Sequence, residues 1–171
     1  MTPPRLSAQP NDIYAALTET NIAGKFHWSI FVATSATDGW KMHATNMPSG
    51  LAWRFERVHW CGASTDPSAV LFMKIGAIPP GLDAETLELY LCESNIPMDV
   101  VPPAQRGAEP RFTCRVWFHE AVRVLDDAQM FVRCADVEAL MRELVGKGCA
   151  MQALRLEYGP CYVSTNAVEW E

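Results

Sequence analysis

Alternating hydrophobic and polar positions mark Phe26-His27-Trp28-Ser29-Ile30-Phe31-Val32 as a strand. Phe26, Trp28, Ile30 and Val32 share one face, which places His27 and Ser29 on the other. Thr37-Asp38-Gly39 is a turn signal, and its Asp-Gly pair favours a tight hairpin. The return strand is Trp40 to Thr45, with His43 and Thr45 on the face opposite Met42 and Ala44. Pro48-Ser49-Gly50 turns the chain into a third strand, Leu51 to Val58, where Trp53 and Phe55 alternate against Arg54 and Glu56. The apolar run Ala69-Val70-Leu71-Phe72-Met73-Lys74-Ile75 predicts a buried strand, ended by Gly76 and the Pro79-Pro80-Gly81 turn.

Other stretches carry helical spacing. Asn11 or Asp12 is placed to cap a short helix through Ile13, Ala16 and Leu17. Asp83 to Cys92 suits a helix with Leu87 and Leu91 inward and Glu85 in its first turn. Asn95 to Pro110 is rich in proline and charge and reads as a loop. Thr113 is a good N-cap, and Cys114, Trp117, Phe118, Ala121, Val122 and Leu125 then form one continuous apolar stripe. Asp136 caps a further helix through Val137, Leu140, Met141 and Leu144, which Gly146-Lys147-Gly148 is expected to interrupt. Leu154 and Leu156 suit another helix or a strand, and Cys161 to Ser164 a last strand. Residues 1–10 read as a mobile, proline-rich arm and residues 11–171 as one domain without internal repeats.

Composition narrows the class. A chain of 171 residues that is 49% hydrophobic can bury a full core, and 20% charged with 10% aromatic residues is globular rather than disordered. A formal net charge of −6 with no Lys/Arg cluster argues against binding nucleic acid through its phosphates. No apolar run is long enough to span a bilayer, and Met1 to Pro10 lacks the apolar core of a secretory leader. The six cysteines (Cys61, Cys92, Cys114, Cys134, Cys149, Cys161) include no CxxC pair. Reduced thiols in a cytoplasmic protein are the economical expectation.

Cys114 draws the chemistry. It opens a helix, where unpaired amides and the dipole favour an anion and so lower a thiol's pKa. Its competing reading is a small apolar residue on a buried stripe, and on this stretch alone that reading is the stronger. His27 and His43 shift the balance, because both leave paired strands on the face away from the apolar alternation. Either one alone reads as a half-buried imidazole bonded to backbone. Together with Cys114 they match the needs of a thiol nucleophile: a base to take its proton and a third group to orient that base. His59 and His119 show no such spacing. One Cys and two His are also a possible metal ligand set, but this is the least favoured reading, and neither a metal nor another cofactor is expected.

This order resembles the circularly permuted NlpC/P60 papain-like superfamily, which includes the lecithin:retinol acyltransferase-like proteins and the PPPDE peptidases. His27-Trp28-Ser29-Ile30-Phe31 is similar to the family's base-bearing strand, and Met42-His43-Ala44 to its second histidine strand. Thr113-Cys114-Arg115-Val116-Trp117 stands where the nucleophile motif belongs, with Arg115-Val116 in place of the usual Glu-His pair. Uncharacterised fungal proteins with a His-Trp strand and a Cys-Arg-x-Trp helix are more similar still. The resemblance covers about Phe26 to Leu125.

The expected fold is therefore α+β: a curved, mostly antiparallel sheet packed on a catalytic helix, in a permuted papain-like arrangement. The expected function is cysteine-dependent acyl transfer. Cys114 is the nucleophile, His27 the general base and acid, His43 the orienting group, and the Cys114 amide an oxyanion donor. Trp28, Thr45 and Asn46 are candidates to line the cleft. The partner would be a small-molecule or peptide acyl donor, whose acyl group passes to water (hydrolase, peptidase or amidase) or to an amine or alcohol (acyltransferase). Two other classes stay open: a catalytically inactive binding module on the same fold, and an aminoacyl or peptidyl transferase of small-molecule biosynthesis, for which an aminoacyl-tRNA would be the donor.

Overall fold

A computed structural model describes residues 3–170. Its centre is the segment expected to be a short helix. Asp12–Glu19 is instead strand β1, and every residue but the last is buried. Ile13, Ala16 and Leu17 fall at helical spacing only because both faces of this strand are covered. Ile13, Ala15 and Leu17 enter one core, Tyr14 and Ala16 a second. A strand buried on both sides shows no alternation, so its period is hidden.

Around β1 run β2 (Phe26–Ala33), β3 (Gly39–Thr45), β4 (Arg54–Trp60), β5 (Ala69–Ala77) and β6 (Cys161–Val163). They form one six-stranded sheet in the order β4-β3-β2-β1-β5-β6. All pairs are antiparallel except β5 with β6. The turn before β3 is longer than a two-residue hairpin. Residues 34–38 bridge Ala33 to Gly39, with the Thr34 amide donating to the Asp38 carbonyl at 2.9 Å. Gly39 is needed there for space, since a Cβ would lie 2.2 Å from the Val32 carbonyl oxygen.

Three helices follow: α1 (Ala84–Leu91), α2 (Cys114–Asp127) and α3 (Val137–Leu154). Each is N-capped by a side chain, Asp83, Thr113 and Asp136 accepting from the amides of Thr86, Val116 and Ala139, the last two of these caps as the sequence predicts. Helix α3 runs straight through Gly146-Lys147-Gly148. Gly148 lets the helix approach the sheet rather than breaking it: a Cβ would sit 2.9 Å from Leu17 and 3.1 Å from Phe26. The main core lies between the helices and Phe26, Trp28, Ile30, Val32, Met42 and Ala44. This is a mixed α+β fold with a mostly antiparallel sheet packed against several helices.

The opposite sheet face buries Phe31, Trp60 and Phe72, and Leu6 and Ala8 from the N-terminal segment cover it. Within residues 3–10, the stretch expected to be an arm, two side chains are packed against the sheet. Leu6 is 4% and Ala8 2% exposed. The Cys161 amide donates to the Pro4 carbonyl, and the Tyr158 hydroxyl to that of Pro3. Met1 and Thr2 lie outside the described residues. Among those described, no helix is long and apolar enough to cross a membrane.

Candidate functional site

The sheet is not uniformly paired. β1 follows β2 as far as Glu19–Phe26, and β3 follows β4 as far as Thr45–Arg54. Between β2 and β3, however, pairing stops at Ile30–Met42. Phe26 to Ser29 and His43 to Thr45 therefore border a gap in the middle of the sheet. Both sequence-predicted histidines lie on this gap.

There His27 Nε2 and His43 Nδ1 stand 2.6 Å apart, their rings edge to face. His43 Nε2 reaches Glu56 Oε2 at 3.2 Å. Glu56 faces His43 because the two are direct partners in the β3–β4 ladder. The three side chains form a directional chain. A carboxylate only accepts, so His43 carries its proton on Nε2 and leaves Nδ1 bare. His27 must then donate from Nε2, which leaves its Nδ1 as a free acceptor. The chain fixes the orientation of the His27 ring.

Both imidazoles are held neutral. Burial foremost, helped by His43 and Lys41, lowers His27 to about 3. Burial, with Lys41 and Arg54, lowers His43 to about 4. Burial also acts on Cys114. The amides of Trp28, Arg115 and Cys114 itself favour its thiolate, but burial outweighs them and pushes the thiol above its ordinary value. The lowered pKa expected from the helix start does not survive the desolvation there. Resting thiol and resting imidazole are both uncharged.

The sulfur lies by the Trp28 amide, which belongs to the residue next to His27. The alternation along β2 nevertheless turns His27 away from the sheet face on which α2 packs. No hydrogen bond joins Cys114 to either imidazole. The structure thus brings His27, His43 and Glu56 together and sets Cys114 on the helix side of the same gap.

The remaining candidates have structural partners. Trp28 is 3% exposed and packs on Phe118, with their ring centroids 5.3 Å apart. Arg115 lies over the same indole and ion-pairs with Glu109. Thr45 is buried, and its Oγ1 accepts from the Met47 amide at 3.2 Å. The Asn46 carbonyl accepts from the Gly50 amide at 2.7 Å. Thr45 and Asn46 thus hold the β3–β4 turn beside the gap. Among the described residues, no group of three or more His, Cys, Asp or Glu is arranged to hold a metal ion. A cleft of about 590 Å³ between the β1–β2 turn and the end of α3 is lined by Glu19, Gly24, Cys149 and Gln152, and it includes neither Cys114 nor a histidine of the gap.

Glu56 is the member that motif reading missed. The signal was present in the alternation: Glu56 and His43 each leave their strand on the face away from Phe55 and Met42. Their direct pairing needs the register, which the turn at residues 46–53 sets.

A family model described as a family of unknown function (DUF6540) matches residues 13–132, a span that contains β1 from Ile13 on, β2 to β5, α1, α2 and the residues His27, His43, Glu56 and Cys114. No curated protein and no solved structure matches the chain.

Proposed function

We propose that this chain, which belongs to the DUF6540 family of unknown function, is a cysteine-dependent acyl-transfer enzyme of permuted papain-like design. The observation that carries the reading is the His27–His43–Glu56 chain, which fixes an imidazole on one side of the same gap that has the Cys114 sulfur on its other side. Cys114 is the nucleophile, His27 the base, and His43 and Glu56 its positioning groups.

The uncharged resting state makes the first step a general-base reaction rather than attack by a preformed thiolate. The Cys114 proton passes through the gap to His27 Nδ1, by way of one water, as sulfur bonds to the acyl carbon. The imidazolium charge is met through His43 by the Glu56 carboxylate. Collapse of the tetrahedral adduct expels the amine or alcohol, which takes the proton back from His27 and leaves an acyl-thioester. Amides at the start of α2, that of Cys114 among them, offer donors to the oxyanion. Water, an amine or an alcohol then takes the acyl group, with His27 again removing the proton. The reading covers a small-molecule or peptide acyl donor, and a net charge of −6 lends no support to an aminoacyl-tRNA.

A second reading, a binding module whose thiol is silent, is favoured by a half-buried Cys114 that bonds to neither imidazole. A panel of activated acyl donors (p-nitrophenyl acetate, an acyl thioester, an acyl-peptide p-nitroanilide) separates the two by intact mass. The enzyme reading expects one acyl adduct, mapped to Cys114 and absent in Cys114→Ser. The binding-module reading expects no adduct at Cys114 from any donor.

A further inference from the structure

A second thiol–imidazole pair lies at the other end of β4. Cys61 directly follows that strand, is exposed, and places its Sγ 3.1 Å from Nδ1 of His59. The imidazole is held in place: its ring packs edge-on against Trp40, with centroids 5.0 Å apart and planes at 71°. The turn that presents the thiol is held as well. Gly62 adopts a left-handed φ of 65°, and its amide donates to Asp38 Oδ1 at 2.7 Å. The Asp38 carboxylate is bonded by the hydroxyls of Ser35 and Thr37 too, and lies near His59. An exposed thiol, a proton acceptor fixed beside it and an anion near that acceptor are the parts of a reactive surface cysteine.

We propose that Cys61, with His59 as its proton acceptor, is a thiol–disulfide exchange site for small aliphatic disulfides. This site is independent of Cys114 and of acyl transfer. The Cys61 S–H proton passes to His59 Nδ1, and the thiolate attacks one sulfur of the incoming disulfide. A new S–S bond forms as the old one breaks, and the departing thiolate takes the proton from the imidazolium. No external oxidant or reductant is consumed. The product is a mixed disulfide that a small thiol reverses by the same route. The order Val58-His59-Trp60-Cys61 conceals the pair, because two residues apart on a strand is ordinary spacing. The turn after Trp60 brings the two side chains together.

The chain contains its own control. Cys149 is also exposed but lines a cleft without a histidine. The native protein is incubated with oxidised glutathione as the probe and quenched over a time course, and the modified cysteine is mapped in each sample. Cys61 should acquire glutathione roughly tenfold faster than Cys149, and His59→Gln should remove most of that advantage without lowering the melting temperature. Dithiothreitol should return the protein to its starting mass. Equal rates at Cys61 and Cys149, or a Cys61 rate unchanged by His59→Gln, would overturn the proposal. His59→Asn serves as a second variant, since it too keeps a polar side chain at an exposed position.

Discussion

His43 lies between His27 and the Glu56 carboxylate, and its proposed role is separable from its contribution to packing. If it orients His27, His43→Gln should keep part of the Cys114 acylation rate, because an amide can still accept from His27 and donate to Glu56. His43→Ala should lose much more at a similar melting temperature. Three similar rates would remove His43 from the site. The two imidazoles also make a pH prediction. Their folded values, about 3 and about 4, lie below the ~6.5 of an unfolded chain. Between these limits the unfolded chain binds more protons, so stability is full above pH ~6.5 and falls on acidification. Each histidine contributes at most about 1.4 kcal/mol per pH unit to that slope. Melting temperatures at pH 7 and pH 5 should therefore drop for the wild type and drop less for His43→Gln. Equal drops would mean that the buried imidazole does not titrate as described.

At the level of elements, α3 and β1 show why local pattern misleads. The Gly146-Lys147-Gly148 stretch looks like a helix break, yet α3 continues through it, and the two glycines have opposite reasons to be there. Gly146 faces open space, so Gly146→Ala should stabilise by up to about 1 kcal/mol. At Gly148 a Cβ meets Leu17 and Phe26, and Gly148→Ala should cost about 1–3 kcal/mol despite the better helix propensity. Chemical denaturation of the two variants checks both signs. What was legible in the sequence followed from chemistry confined to one segment: the caps Thr113 and Asp136, and the alternation that puts His27 and His43 on one sheet face. What was not legible depends on partners distant in the chain. β1 is buried on both faces by other segments, Glu56 reaches His43 through a ladder, and the Cys114 thiol is raised by surroundings that its helix position does not reveal.

Across the whole molecule, the two sheet faces carry different duties. The helix face holds the main core and Cys114, while the other face is closed by the chain's own N-terminal segment. That segment also ties to the strand end of the chain, through Pro4 to Cys161 and Pro3 to Tyr158. Leu6→Ala should consequently cost about 2–4 kcal/mol, as for a core leucine, where a loose arm would cost almost nothing. Urea denaturation measures the difference. Cys114 lies on the helix side of the gap between β2 and β3 and His27 on the other, and the proposed chemistry requires the two to act across it as one unit. The direct test is the single-turnover acylation rate of Cys114, with p-nitrophenyl acetate as donor, in the wild type and in His27→Gln of matched melting temperature. The account predicts a loss of about 100-fold or more in the variant, the scale of a general base. A His27→Gln rate within about threefold of the wild type, far short of that scale, would contradict it.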